Sequence, residues 1–228
     1  MPMTLLSEKS EASTLVELAL TKIRQDILTG VFAPGSKLRV EELRAIYDIG
    51  ASPLREALSR LVSNGLVTAE GQKGFRVAPV SMADIRDITN TRKLLEHVAL
   101  GESLKKGDDD WETEVTVAYN RLDQEHKAVQ STSGASVDAW EQANEQFHDT
   151  LVSACESKWL LNFRQIVYDQ AARYRRLVVL VDEQERGAHE EHRQMFEAAL
   201  ARDVEKSCQL ADDHAERTFN LMAVRFSE

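Results

Sequence analysis

The chain has 228 residues, 43% of them hydrophobic, with charged residues interspersed along its length. That is enough apolar material for two cores, and it argues against wholesale disorder. The formal net charge of -10, taken whole, argues against a nucleic-acid binder. The charge is uneven, however: residues 1–80 hold ten Lys/Arg against nine Asp/Glu, and residues 81–228 hold 18 against 29. A near-neutral N-terminal part can still set basic residues against phosphate. Cys155 and Cys208 are the two cysteines, without CxxC spacing, and read as reduced thiols of a cytoplasmic protein. No run approaches the roughly 18 apolar residues of a membrane span. The opening MPMTLLSEKSEAS lacks the basic and apolar regions of a secretory signal. A cytoplasmic location without membrane contact is expected.

Residues 1–11 read as a flexible tail. Thr14 and Glu17 have capping-box spacing, and Val16, Leu20, Ile23 and Ile27 share one helical face that stops at Gly30. Ala33-Pro34-Gly35-Ser36 is a turn. Val40, Leu43 and Ile46 form the apolar face of a short helix, and Asp48-Ile49-Gly50-Ala51 a turn after it. Ser52-Pro53 reads as the next helix start, with Ser as the cap and Pro at the first helical position. Leu54, Ala57, Leu58, Leu61 and Val62 give that helix a buried face, and Asn64-Gly65 ends it. Two β segments follow, Leu66–Ala69 and Phe75–Ala78, joined by the turn Glu70-Gly71-Gln72-Lys73-Gly74. Residues 12–79 therefore have the layout of a winged helix-turn-helix.

Pro79 and Ser81 mark a linker, and residues 80–228 read as helix throughout. Ile85, Ile88, Leu95 and Ala99 face one way on the first helix; Trp111, Val115, Ala118 and Leu122 mark the second. A polar loop at 131–135 precedes helices over 137–156, 159–180, 184–202 and 204–226. The expected fold class is mostly α: a winged helix-turn-helix plus an all-α bundle. Trp111, Trp140 and Trp159 are assigned to packing.

In a helix-turn-helix the N-terminal end of the second helix meets base edges in the major groove. Here that end is Gly50, Ala51, Ser52, Pro53 and Arg55. Arg55 lies off the apolar stripe and can contact guanine bidentately or clamp a phosphate. Gln72, Lys73 and Gly74 form the wing tip, where glycine lets backbone approach DNA. Arg39 and Arg44 flank the site and would position it. The same layout also fits a winged helix used for protein contacts.

Among six histidines, His148 shares a helix face with Asn144 at i, i+4, and His192 and His214 fall on later helices. An amide oxygen with imidazole nitrogens suits Zn²⁺, Ni²⁺ or Mn²⁺, although the spacing equally fits satisfied histidines. His189, one turn before His192, reads as a bystander. Such a site could activate water in a metal-dependent hydrolase. No placed general base, nucleophile motif or cofactor fingerprint supports that, so the enzyme reading stands second. Arg173, Tyr174, Arg175 and Arg176 form a basic cluster read as mostly surface, with one or two members facing a pocket.

Four motifs go further: Pro34-Gly35-Ser36-Lys37-Leu38; Ser52-Pro53-Leu54-Arg55-Glu56-Ala57-Leu58-Ser59-Arg60-Leu61; Asn64-Gly65-Leu66-Val67; and Lys73-Gly74-Phe75-Arg76-Val77. Together they resemble the GntR family of bacterial regulators. The remainder is similar to the all-helical FCD ligand domain of its FadR subfamily, and the wording GASPLREALSRL is similar to the carbon-starvation-induced, CsiR-like branch. The resemblance implies a homodimeric regulator, not an enzyme, on a palindromic double-stranded operator, with repression relieved by a small organic acid. For this branch it implies a short dicarboxylate such as glutarate or 2-hydroxyglutarate. It implies a divalent metal on Asn144, His148, His192 and His214, and an Arg92 that points at the pocket and pairs the effector's carboxylate. A helix salt bridge to Glu96 is the other role open to Arg92. One departure is Ala51, where many members carry a DNA-contacting Arg; Arg55 then carries more of the recognition.

Overall fold

The computed structural model describes residues 4–71, 74–131, 137–178 and 187–227. It divides into two compact units, Met1–Ser81 and Met82–Glu228. The N-terminal unit contains α1 (Thr4–Leu28), β1 (Lys37–Leu38), α2 (Val40–Tyr47), α3 (Ala51–Ser63), β2 (Val67–Ala69) and β3 (Phe75–Val77). Its backbone is helical from Thr4, across most of the stretch expected as a tail. That stretch is free of Gly and beyond Pro2 of Pro, so extending a helix already held by its packed turns costs little per residue.

Val16, Ala19, Ile23 and Ile27 of α1 are buried with Leu54, Ala57, Leu58 and Leu61 of α3, and Leu43 completes the core from α2. The Tyr47 hydroxyl donates to the Asp26 carboxylate, tying the end of α2 to α1. The α3 terminus closes as a Schellman motif: Gly65 N–H donates to Val62 O at 3.0 Å and Leu66 N–H to Leu61 O at 3.1 Å, with Gly65 at φ 73°. The wing is a three-stranded antiparallel sheet of order β1-β3-β2, pairing Lys37 with Arg76 and Val67 with Val77. The two-residue β1 is too short to carry a periodic signal, and the sequence reading had no strand there.

The C-terminal unit is helical among its described residues: α4 (Met82–Lys106), α5 (Asp109–Ser131), α6 (Val137–Leu151), α7 (Lys158–Val178), α8 (Ala188–Leu200) and α9 (Val204–Ser227). Trp111, Val115, Ala118 and Leu122 are all buried, as their spacing requires, against Trp140, Phe147, Met195 and Ala199. Two expectations fail here. Trp159 is 74% exposed and stacks on the half-exposed Phe163 rather than entering the core. On α4 the buried line runs Ile85, Thr89, Arg92, Glu96, Ala99, Ser103, while Ile88 and Leu95 are only partly covered. The face of α4 turned inward is polar because it lines a polar centre. Cys155 and Cys208 are both free and buried, and no described helix is long and apolar enough to cross a membrane.

Candidate nucleic-acid surface and candidate metal centre

The turn between α2 and α3 begins at Asp48, whose left-handed backbone (φ 55°) caps α2 through N–H to Arg44 O. Gly50, not Ser52, caps α3: its backbone is extended and its carbonyl accepts the Leu54 N–H at 3.3 Å. Ser52 and Pro53 become the second and third helical residues. Proline is tolerated there because N–H groups of the first turn have no partner within the helix. The Ser52 side chain is thereby exposed, beside exposed Arg55.

Arg55 lines a cleft of about 410 Å³ with Lys37, Arg39, Gly74 and Phe75. Among the described residues Arg55 has no ion pair, whereas Arg39 holds Glu42 at 2.7 Å and Arg44 holds Glu41 at 2.8 Å. The structure therefore gathers Arg39, Arg55 and Gly74 on one concave face and adds Lys37, which the sequence reading passed over. Gly74 sits at φ 101°, a conformation open to glycine but strained for other residues. Arg76 braces the wing base, bonding Glu70 at 2.6 Å and the Gly35 carbonyl at 3.0 Å. Gln72 and Lys73 lie outside the described residues.

In the C-terminal unit, His148 of α6, His192 of α8 and His214 of α9 converge. All three are buried, and one nitrogen from each lies within 4.8 Å of the others. Tetrahedral zinc with Zn–N near 2.0–2.1 Å separates its nitrogens by roughly 3.4 Å, so a small inward movement would seat an ion. His214 Nδ1 is 2.7 Å from Glu191 Oε2, the carboxylate–histidine arrangement that presents Nε2 to a metal. His192 Nδ1 is 3.0 Å from His126 Nε2, which likewise turns its Nε2 inward. Burial, reinforced by His214, Arg92, His192 and Arg164, holds the His148 imidazole well below the usual histidine range, in the neutral form a metal requires.

Among the described residues, the buried side-chain atoms without a hydrogen-bond partner include His148 Nε2 and Asn144 Oδ1. Each such atom costs on the order of 1–3 kcal/mol, which coordination to a cation would offset. The Asn144 amide nitrogen donates to the Tyr168 hydroxyl at 3.2 Å, so its carbonyl oxygen is the remaining ligand atom. The donor set fits a divalent metal.

Tyr168 links this cluster to a buried basic group. The guanidinium of Arg92 lies 4.9 Å from the Tyr168 ring centre, Arg164 5.3 Å and Arg175 5.4 Å. Arg164 pairs with Asp149 at 2.5 Å and Glu96 at 3.2 Å, and Arg175 grips Glu141 at 2.7–3.1 Å. Among the described residues, the carboxylate that Arg92 reaches is that of Glu96, at 3.4 Å. Burial pulls its pKa down against the support of Glu96. Of the two roles read from the sequence, the helix pair to Glu96 is present, and it is long. Arg173 and Arg175 are buried rather than on the surface: α7 turns them inward, where Glu141 and the Tyr174 ring receive them. His189 bonds Asp123 at 2.6 Å and stacks on His126, outside the triad. The sequence reading missed His126, Glu191, Tyr168 and Arg164. Only the position of Glu191 beside His192 offered a signal.

Comparison with known proteins agrees with both halves. Residues 15–77 match the family described as bacterial regulatory proteins, gntR family, and residues 87–217 match the FCD domain. The chain is 40% identical over 209 residues to the HTH-type transcriptional regulator BphR of Paraburkholderia xenovorans, covering 92% of this chain and 85% of that one. It is 36% identical over 196 residues to the HTH-type transcriptional repressor GlaR of Escherichia coli, covering 84% and 88%. Among solved structures, Escherichia coli McbR/YncC superposes with a TM-score of 0.81 at 17% identity, over 93% of this chain and 98% of that one, a likeness of fold.

Proposed function

Because the chain belongs to the GntR family of bacterial regulators, with the FCD domain of the FadR-like subfamily, and is a DNA-binding transcription regulator rather than an enzyme, we propose that it is a cytoplasmic, homodimeric repressor released from a palindromic operator by a small organic acid. In this reading residues 12–79 bind DNA, and residues 80–228 sense the acid and dimerise. The FCD domain is a ligand-binding domain that often holds a metal, and the name of the GlaR relative supports repression.

Arg55, at the start of α3 without an ion pair among the described residues, reads base edges. Gly50, Ala51, Ser52 and Pro53 bring the backbone to the groove, while Arg39, Arg44, Gln72, Lys73 and Gly74 meet phosphates. Asn144, His148, His192 and His214 hold a divalent ion, zinc, nickel or manganese. When bound, the ion offers open positions to a carboxylate.

The observation that carries the effector class is Arg92: a buried cation whose carboxylate contact among the described residues is one long pair to Glu96, stacked on the same tyrosine that bonds Asn144. A cation so poorly matched in a dry site is poised to receive a ligand's carboxylate in a bidentate pair. Arg92 would take one carboxylate and the metal the other, as a short dicarboxylate such as glutarate or 2-hydroxyglutarate of the CsiR-like branch allows. Linkage requires only that the acid bind the DNA-free state more tightly.

The test begins with selection of full-length protein against random duplex DNA at stated salt. One palindromic motif is expected, bound more weakly and relaxed at one position of each half-site in Arg55→Ala. A panel of acids then titrates the metal-loaded complex. Release by short dicarboxylates, abolished in Arg92→Gln with DNA binding intact, is the expected result. Release only by amino acids, sugars or fatty acyl thioesters overturns the effector assignment, and recovery of no motif overturns the operator reading.

A further inference from the structure

His192 does not stand alone behind the metal centre. Trp140 Nε1 lies 3.2 Å from His126 Nδ1, and His126 Nε2 lies 3.0 Å from His192 Nδ1. The chain Trp140–His126–His192 joins α6, α5 and α8, and all three side chains are buried. His126 is further packed by the His189 ring, with centres 5.1 Å apart, and edge-to-face by the Trp140 ring, with centres 5.6 Å apart.

The direction of these bonds follows from the donor inventory. An indole N–H can only donate, so His126 Nδ1 accepts and is bare of hydrogen. The hydrogen of that ring is then on Nε2, which donates to His192 Nδ1. His192 in turn carries its hydrogen on Nε2, the nitrogen turned toward His148 and His214. A metal needs that nitrogen bare. With the ion in place, His192 must hold its hydrogen on Nδ1 and donate to His126 Nε2, and His126 must carry its own on Nδ1. Each ring keeps one hydrogen, so no proton enters or leaves. Two donors, Trp140 Nε1–H and His126 Nδ1–H, then face each other.

Resting on the metal reading above, we propose that His126 is a positioning residue for the metal ligand His192, and that loading the metal breaks the Trp140–His126 hydrogen bond. Trp140 is therefore a built-in reporter of occupancy. Its release on α6, the helix that also carries Asn144 and His148, ties the start of that helix to the state of the metal centre.

Zinc is the suitable probe, because a closed-shell ion has no redox or paramagnetic effect of its own. Metal-stripped full-length protein labelled with ¹⁵N shows indole N–H resonances from Trp111, Trp140 and Trp159, and Trp140→Phe identifies the Trp140 signal. One equivalent of Zn²⁺ per chain is expected to move it, while that of exposed Trp159 stays in place. His126→Phe is expected to weaken zinc binding about 10–100-fold, the usual effect of losing an outer partner of a ligating histidine, and to leave the Trp140 signal unresponsive. Zinc bound stoichiometrically with the Trp140 resonance unmoved overturns this proposal and leaves the metal reading standing. Folded His126→Phe with undiminished zinc affinity overturns the positioning role. Absence of zinc, nickel and manganese binding overturns both. The wild-type spectrum decides the matter even where the variant fails to fold.

Discussion

In the N-terminal unit, Arg39 and Arg44 keep half or more of their side-chain surface in water while each holds a carboxylate three residues away. In the C-terminal unit, Arg92 and Arg164 keep no more than 6%, yet they too sit beside carboxylates. The same pairing has opposite consequences. In water an ion pair is worth about 0–1 kcal/mol, so an exposed arginine can leave its partner for a phosphate at little cost. In a dry interior, desolvation makes each unmatched charge expensive, so these arginines are fixed beside their carboxylates. Arg39 and Arg44 stay available; Arg92 and Arg164 are kept in place.

The largest expected effect lies in the fixed set. Arg164→Ala leaves Glu96 and Asp149 facing a buried gap, and should cost on the order of 3–5 kcal/mol in urea unfolding. A loss below about 1 kcal/mol would mean that water reaches the network and that the contrast between the units is false. The same network has a pH signature. Burial raises the Glu96 pKa, but Arg164 and Arg92 outweigh it and hold it below its ordinary value of 4.5. A depressed carboxylate stabilises the fold above that ordinary value, and the contribution is lost as pH falls through the lower folded value. Unfolding free energy should therefore fall as pH drops below about 4.5, and the part due to Glu96 should be absent in Glu96→Gln.

Next in size is Arg55→Ala. Removing a base-reading arginine should cost about 1–3 kcal/mol of operator affinity and relax specificity at one position of each half-site. Folding stability should change by less than about 0.5 kcal/mol, as for an exposed residue outside any network. Equal losses on operator and random DNA would demote Arg55 to a phosphate contact.

How far the sequence foretold these two surfaces differs for the same physical reason. The winged helix was legible because its signals are local: Asn64-Gly65 closes a helix through its own backbone, and Leu54, Ala57, Leu58 and Leu61 repeat with the helical period. The histidines of the triad were legible as a rare residue type, with His148 at a helical interval from Asn144. Glu191, His126 and Tyr168 were not, because each acts on a side chain from another helix. Their meaning lies in packing between elements, which no single-helix period encodes. Arg175 was read with a mostly surface cluster because hydropathy treats arginine as solvated, and Arg164 was not singled out; Glu96, Asp149 and Glu141 brought from other helices make their burial tolerable. Ser52 misled for a milder reason: Ser-Pro is a sound helix start, but Gly50 already supplied the extended residue a start requires.

The smallest effect gives the sharpest test of the comparison. Arg39 lines the cleft with Arg55 but is held by Glu42 at 2.7 Å. To meet a phosphate it must leave that carboxylate. Arg39→Ala should weaken binding to operator and random DNA alike and lower the slope of log affinity against log salt by about 1. Glu42→Gln should do the reverse, since it removes the competitor and leaves the cation in place. The gain is bounded by the worth of an exposed pair, about 1 kcal/mol or less, and should appear on any duplex sequence. Fluorescence anisotropy of both variants across a salt series reads these slopes directly. Tighter binding in Glu42→Gln means that the exposed carboxylates of α2 restrain the cations beside them. Unchanged binding means that Arg39 remains with Glu42 on DNA, and the availability of the surface arginines then rests on Arg55 alone.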